Sequence, residues 1–243
     1  MTKSVDDLFN AIMQSAENMQ TLVLSAPTSE WAVVFLLGQL SARGHFRFVR
    51  GDGGFPDCTL AIEDVNIRIE IELKASQFIL HKHPLDGCDA VICWTNDKKL
   101  QIPTLELSSL FPNVKTAVFA EIDHSGKRNK VAQTLADRYE SIVRLFDTTC
   151  TVAKSMPNIV LSAPTSEWAV VFLLGQISAG GHFLFVCGDG GFPDCTFAIE
   201  DVNIRIEVEL KASQFIRHKH PMDGCDAVIC WTNDKKLPIP TLE

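Results

Sequence analysis

The segment Glu70-Ile71-Glu72-Leu73-Lys74 closes a run, residues 65–74, in which apolar and charged side chains alternate. In an extended strand successive side chains point to opposite faces. Ile69, Ile71 and Leu73 therefore share one face, and Glu70, Glu72 and Lys74 share the other. Pro56-Asp57 lies 15 residues before Glu72, and a hairpin between them sets Asp57 beside Glu72 on the neighbouring strand. Glu30, which follows Ser25-Ala26-Pro27-Thr28-Ser29, supplies a third acid from the first turn of a helix. Carboxylates that converge on one point repel unless a cation neutralises them. Hard oxygen ligands suit Mg2+ or Mn2+, which keep several waters and share the oxygens of substrate phosphates. A lysine two residues beyond a ligand reaches a phosphate oxygen or an attacking water, so the set is equipped for in-line hydrolysis of a phosphodiester. The plainer alternative is a charged, solvated face of an antiparallel strand.

The elements that must position these residues follow from local pattern. Residues 25–30 have the features of a helix start, with proline and hydroxyl residues early and an acid in the first turn. The helix runs through Trp31 to about Ser41 and ends near Gly44, with Trp31, Phe35 and Leu36 in the core. Residues 45–50 alternate as a strand. Gly51-Asp52-Gly53-Gly54 is a turn, because it lacks the Gly-Lys-Ser/Thr ending and following helix of a phosphate-cradling loop. Residues 57–62 and 65–74 form two strands joined by a tight turn at Glu63-Asp64, residues 75–83 a short helix or loop, and residues 89–94 a buried strand. The expectation is an α/β unit around a central mixed sheet.

That unit occurs twice. Residues 22–106 align with 159–243 at a constant offset of 137, with ten differences in 85 positions. Identity at that level reflects duplication, since convergence on a fold would not preserve surface residues. A weaker match extends back through Ser4-Val5 and Leu8-Phe9 to Ser141-Ile142 and Leu145-Phe146. Val5, Leu8, Phe9, Ile12, Met13 and Ala16 fall on one helical face, so each copy opens with an amphipathic helix. The boundaries read as 1–137 and 138–243, with a helix closing the first copy, 130–146, continuous with the one that opens the second. The second copy ends at the counterpart of Glu106 and is expected to lack the elements of 107–136, including a strand-like run at 116–122. Gly180, Leu184 and Cys187 stand where the first copy has Arg43, Arg47 and Arg50. Those arginines surround the first strand and are candidates for contact with a phosphate backbone, or they serve solubility.

Glu30, Pro56-Asp57 and Glu72-Leu73-Lys74, on an order of helix, three strands, helical link and strand, resemble the motifs of the PD-(D/E)xK nuclease superfamily. The likeness covers roughly residues 25–94 and recurs at Glu167, Asp194, Glu209 and Lys211. It implies an α/β, restriction-endonuclease-like core in two tandem copies, the second truncated, and an endonuclease acting on DNA, with RNA left open. It further implies Mg2+ or Mn2+ held by Asp57 and Glu72, and by Asp194 and Glu209. Lys74 then activates water or stabilises charge, and Glu30 supports the site. Glu70 and its counterpart Glu207 lie outside the minimal motif, as extra ligands or as groups that shift the lysine. Many such nucleases need two active sites to cut two strands; one chain carrying both is a pseudo-dimer, and a homo-oligomer stays open. Two other classes compete: a non-catalytic nucleic-acid-binding or assembly module on the same fold, and a fusion product with no selected activity.

The remaining features narrow the field. The chain is 46% apolar and 21% charged, which argues against disorder. Its longest apolar run, 31–37, is far below the roughly 20 residues of a membrane span, so no membrane partner is expected. The net charge of −8 argues against bulk coating of nucleic acid. With no secretory signal evident, eight cysteines read as reduced thiols in a cytoplasmic protein. His81-Lys82-His83 with Cys88 and Cys93 invites a zinc reading, but the spacing matches no common finger. A surface loop and a phosphate contact are the other readings of that segment.

Overall fold

The computed structural model describes residues 2–17, 26–51, 54–112, 135–155, 163–188, 191–199 and 202–243. Helix α1, Thr2–Glu17, buries Val5, Leu8, Ile12 and Ala16, which recur at helical spacing, with Phe9 and Met13 packed at the margin of the same core. Helix α2, Glu30–Ser41, starts at the N-cap Ser29, whose hydroxyl accepts from the Ala32 N–H. Strands β1 (Arg47–Gly51), β2 (Cys58–Ile62) and β3 (Val65–Lys74) follow. Helix α3 (Ala75–Leu80) then leads to β4 (Ala90–Thr95) and β5 (Thr104–Glu106). The sheet order is β1-β2-β3-β4-β5. The first three strands pair antiparallel, β4 runs parallel to β3, and β5 parallel to β4. Glu63 takes φ 50° in the two-residue β2–β3 turn, the left-handed geometry that a twisted hairpin needs. The parallel step from β3 to β4 requires a crossover, and α3 provides it.

The second copy repeats the order: α4 (Leu135–Ser155), α5 (Glu167–Ser178), β6 (Leu184–Cys187), β7 (Cys195–Ile199), β8 (Val202–Lys211), α6 (Ala212–Arg217), β9 (Ala227–Thr232) and β10 (Thr241–Leu242). Its sheet runs β10-β9-β8-β7-β6 with the same pairing senses. Among the described residues the chain is therefore α/β, with two mixed five-stranded sheets and six α-helices. The fifth strand of each sheet was not anticipated; β5 and β10 span three and two residues, too short to show periodicity. Both lie inside the aligned segments, at 104–106 and 241–242. The strand-like run 116–122 lies outside the described residues. The joining helix does continue past Phe146, to Ser155, and residues 130–134 lie outside the described part.

Helices α2 and α5 are apolar on every side, which marks a helix buried all round. Each packs chiefly on its own sheet and on the equivalent helix of the other copy, with the opening helix of its own copy alongside. They cross at two glycines. A Cβ on Gly38 would sit 2.1 Å from the Phe172 carbonyl oxygen, and one on Gly175 would sit 2.1 Å from that of Phe35. Gln39 Nε2 donates to Ser178 Oγ at 3.0 Å, and Gln176 Nε2 donates to Ser41 Oγ at 2.8 Å. The contact is reciprocal, as in a two-fold dimer, and one continuous hydrophobic core includes residues of both copies. The helix starts are tied across as well. Thr28 and Ser29 donate to the Gly188 carbonyl, and Thr165 and Ser166 donate to that of Gly51. No helix among the described residues is long and apolar enough to cross a membrane.

Candidate metal centre

Strand β3 is central, paired with β2 along one edge and β4 along the other, and α2 and α3 pack against it. Glu70 and Glu72 are only 4% and 1% exposed, which excludes the solvated-face alternative. The backbone register between β2 and β3 ends at Cys58 opposite Ile69. Two side-chain bonds continue it by one residue: the Asp57 N–H donates to Glu70 Oε2 at 3.0 Å, and the Ile71 N–H donates to Asp57 Oδ2 at 2.8 Å. Asp57 therefore faces Glu70 across the strands, where the sequence placed it beside Glu72. Glu30, in the first turn of α2, is half-buried, and its Oε1 lies 3.4 Å from Gln77 Nε2. The other end of Gln77 accepts from the Lys74 N–H at 2.8 Å. One amide thus links the end of β3 to the start of α2.

The four acids act on each other. Burial pushes Glu72 up to about 9, with the adjoining Glu30 carboxyl and the charges of Glu70 and Asp57 adding to it. Burial, then the Asp57 charge, raise Glu70 to about 8, against the lowering bond from the Asp57 N–H. Asp57 reaches about 7 through burial, opposed by the Ile71 N–H and supported by Glu30. In the second copy Glu207 and Glu209 rise to about 8 and about 9, again with burial as the largest cause. Near neutral pH such a cluster keeps protons unless positive charge replaces them. Glu72 Oε2 and Glu209 Oε2 are buried with no hydrogen-bond partner. An unsatisfied buried acceptor costs about 1–3 kcal/mol, and a cation would satisfy it. The donor set fits a divalent metal on that ground.

Two histidines border the same carboxylates. His81 Nδ1 lies 3.1 Å from Glu72 Oε1, and His83 Nε2 lies 2.9 Å from Glu70 Oε1 and 4.0 Å from Glu72 Oε1. Burial and the neighbouring His81 hold His83 below the usual histidine range. His218 and His220 repeat these contacts on Glu209 and Glu207. The ligand atoms of Glu72, His81 and His83, and those of Glu209, His218 and His220, lie within 4.8 Å of one another. The sequence joined these histidines to Cys88 and Cys93 in a zinc reading. Both thiols are buried, burial raises each to about 12, and among the described residues neither joins a group that could hold a metal ion. The histidine–glutamate pairing was missed because it needs α3 to turn the chain back onto β3. The one available signal was His-x-His just beyond Glu-x-Glu, twice.

The remaining candidates are dispersed. Lys74 is exposed at the end of β3, and its charge is felt at Asp97, which holds the Ser76 N–H and hydroxyl. Lys211 is equivalent beside Asp234. Arg43 lies just beyond the C-terminal end of α2, roughly 18 Å along the helix from Glu30. Arg47 donates to the Glu63 carbonyl at the hairpin turn and lines a groove of 830 Å³ with Ser4, Asp7 and Asp64. None of the four acids borders that groove. Arg50, opposite Thr59, is the arginine nearest Asp57 along the strand pair. No family model matches the chain, and no curated protein or solved structure matches it.

Proposed function

We propose that the chain is a metal-dependent phosphodiesterase of the PD-(D/E)xK kind, an endonuclease on DNA with one site in each copy. The observation that carries this reading is the buried Glu72 carboxylate, one oxygen unpartnered, among three further acids on a helix–three-strand–helix–strand order. Asp57 and Glu72 would hold Mg2+ or Mn2+, with Glu70 able to join them. When bound, the cation supplies charge neutralisation and Lewis-acid polarisation of the phosphodiester. The chain does the rest. The β2–β3 bonds of Asp57 and Glu70 fix the carboxylates before substrate arrives, and such preorganisation removes reorganisation at the moment of reaction. Lys74, at the exposed rim, takes a phosphate oxygen by its ammonium group. Gln77 keeps Glu30 and the Lys74 peptide in register. Two such sites joined through α2 and α5 address the two strands of a duplex.

The test is cleavage of supercoiled plasmid in Mg2+. The intact chain is expected to nick and linearise it, and Lys74→Ala with Lys211→Ala is expected to lower the rate at least about 100-fold, the scale of a lost charge-stabilising donor. Unchanged cleavage in that double variant sinks the reading. A second reading, a non-catalytic nucleic-acid-binding or assembly module, draws on the distance of Arg43 and Arg47 from the acids and on the reciprocal helix contact. DNA binding without cleavage and without Mg2+ or Mn2+ binding would favour it.

A further inference from the structure

We propose that Glu72, His81 and His83 form a nitrogen-rich site for a first-row transition metal, Zn2+ by ligand type, and that Glu209, His218 and His220 form a second. The claim concerns binding and does not rest on cleavage of DNA. Zn–N and Zn–O bonds of about 2.0–2.2 Å put neighbouring ligand atoms of a tetrahedral site roughly 3.3–3.6 Å apart. Here Glu72 Oε1 stands 3.1 Å from His81 Nδ1 and 4.0 Å from His83 Nε2, and all three ligand atoms lie within 4.8 Å. Small side-chain adjustments close that set around one ion. Two imidazoles and one carboxylate select zinc-like cations over Mg2+, which prefers oxygen alone. Three protein ligands leave a fourth position open, as in catalytic zinc sites.

A second observation points to a ligand independently of the cluster. Glu72 is 1% exposed, and its Oε2 has no hydrogen-bond partner. The histidines border Oε1, which leaves Oε2 for the neighbouring carboxyl cluster, with Glu30 foremost and Glu70 and Asp57 beyond. The local chain explains how both rings arrive there. The Lys82 N–H donates to the Ile79 carbonyl and the His83 N–H to that of Phe78, the paired bonds of a Schellman helix end. Its left-handed position, usually glycine, is Lys82 at φ 60°. This turn brings His83 beside His81, and the His83 ring stacks on Phe55 at 4.3 Å and 9°. Glu70 Oε1, 2.9 Å from His83 Nε2, borders the position as well. The second copy matches because its sequence does; it sets the stoichiometry at two.

Co2+ titration of the full chain, followed by visible absorption and displaced by Zn2+, tests the proposal. Two equivalents are expected. His81→Ala with His83→Ala should remove one, and adding His218→Ala with His220→Ala should remove both. Loss of an outer-shell partner already weakens metal binding about 10–100-fold, so loss of both ligands is expected to exceed 100-fold. Two equivalents with an unchanged spectrum in the four-histidine variant, or no binding by the intact chain, overturns the proposal. If the variants misfold, 15N-histidine spectra of the intact chain decide. Of its seven histidines, His81, His83, His218 and His220 should shift on Zn2+ addition, and unmoved signals from those four overturn the proposal. Plasmid cleavage in Mg2+ is scored separately, so failure of the nuclease reading leaves this result standing.

Discussion

Replacing Glu72 and Glu209 by glutamine should stabilise the metal-free chain at pH 8, although both side chains are buried. The carboxyl of Glu72 is raised from about 4.5 in an unfolded chain to about 9 in the fold. A raised acid binds its proton more tightly when folded. Its contribution to stability is therefore complete below about pH 4.5 and is lost as the pH climbs through about 9. At pH 8 roughly 3.5 units of that interval have been crossed. At about 1.36 kcal/mol per unit this is on the order of 5 kcal/mol as an upper bound. Glu70 and Asp57 are raised alongside Glu72, so the figure belongs to the cluster, and a gain of about 2–4 kcal/mol is the expectation. Glutamine keeps an oxygen for His81 and removes the charge. Urea unfolding in EDTA at pH 6 and pH 8 measures it. The unmodified chain should lose stability between those values, and the double variant should lose less and be the more stable at pH 8. Added Mn2+ should stabilise the unmodified chain more than the variant, by mass action on the folded state. A metal-free chain that gains stability from pH 6 to pH 8, or a variant weaker at pH 8, would show that Glu72 and Glu209 do not carry raised carboxyls.

Other perturbations follow from particular contacts. Gly38→Ala drives a methyl group into the Phe172 carbonyl oxygen, where backbone cannot give way, so thermal unfolding should show a loss of about 3 kcal/mol or more. Ser29→Ala removes both the α2 cap and the bond to Gly188; a loss of about 1–2 kcal/mol is expected by urea unfolding, with reduced plasmid cleavage because Glu30 begins that helix. Asp89→Ala removes the carboxylate that accepts from the Arg68 N–H, Nε and Nη2, leaving the guanidinium the Gly87 and Asp86 carbonyls, and should destabilise by about 1–3 kcal/mol at pH 7. Asp89 is held below its usual range by these bonds. The difference between this variant and the unmodified chain should therefore shrink as the pH falls through the folded value of Asp89.

Much of this site is legible in residue order, and the limits are physical. The alternation of Ile69 to Lys74 places Glu70 and Glu72 on one face without a structure, because a strand has period two. What alternation cannot give is register. Asp57 faces Glu70 because β2 ends at Cys58 opposite Ile69, a matter of where the hairpin turn sits. The histidines were illegible for a related reason: α3 carries His81 back to Glu72, and the left-handed Lys82 then sets His83 beside Glu70. Cys88 and Cys93 drew attention by type, yet burial decides their chemistry. The apolar run of α2 was read as core, and its lack of a polar side already implied two partners. Arg43 precedes β1 and Arg47 opens it, but the length of α2 and of the strand carries them from the acids.

The most direct measurement is an anomalous-difference map from crystals of the full chain grown with Mn2+. A peak is expected in each copy about 2.0–2.3 Å from oxygens of Asp57 and Glu72, and of Asp194 and Glu209. Crystals in saturating Mn2+ that show no peak between those carboxylates, with Glu72 still paired to His81, would contradict it.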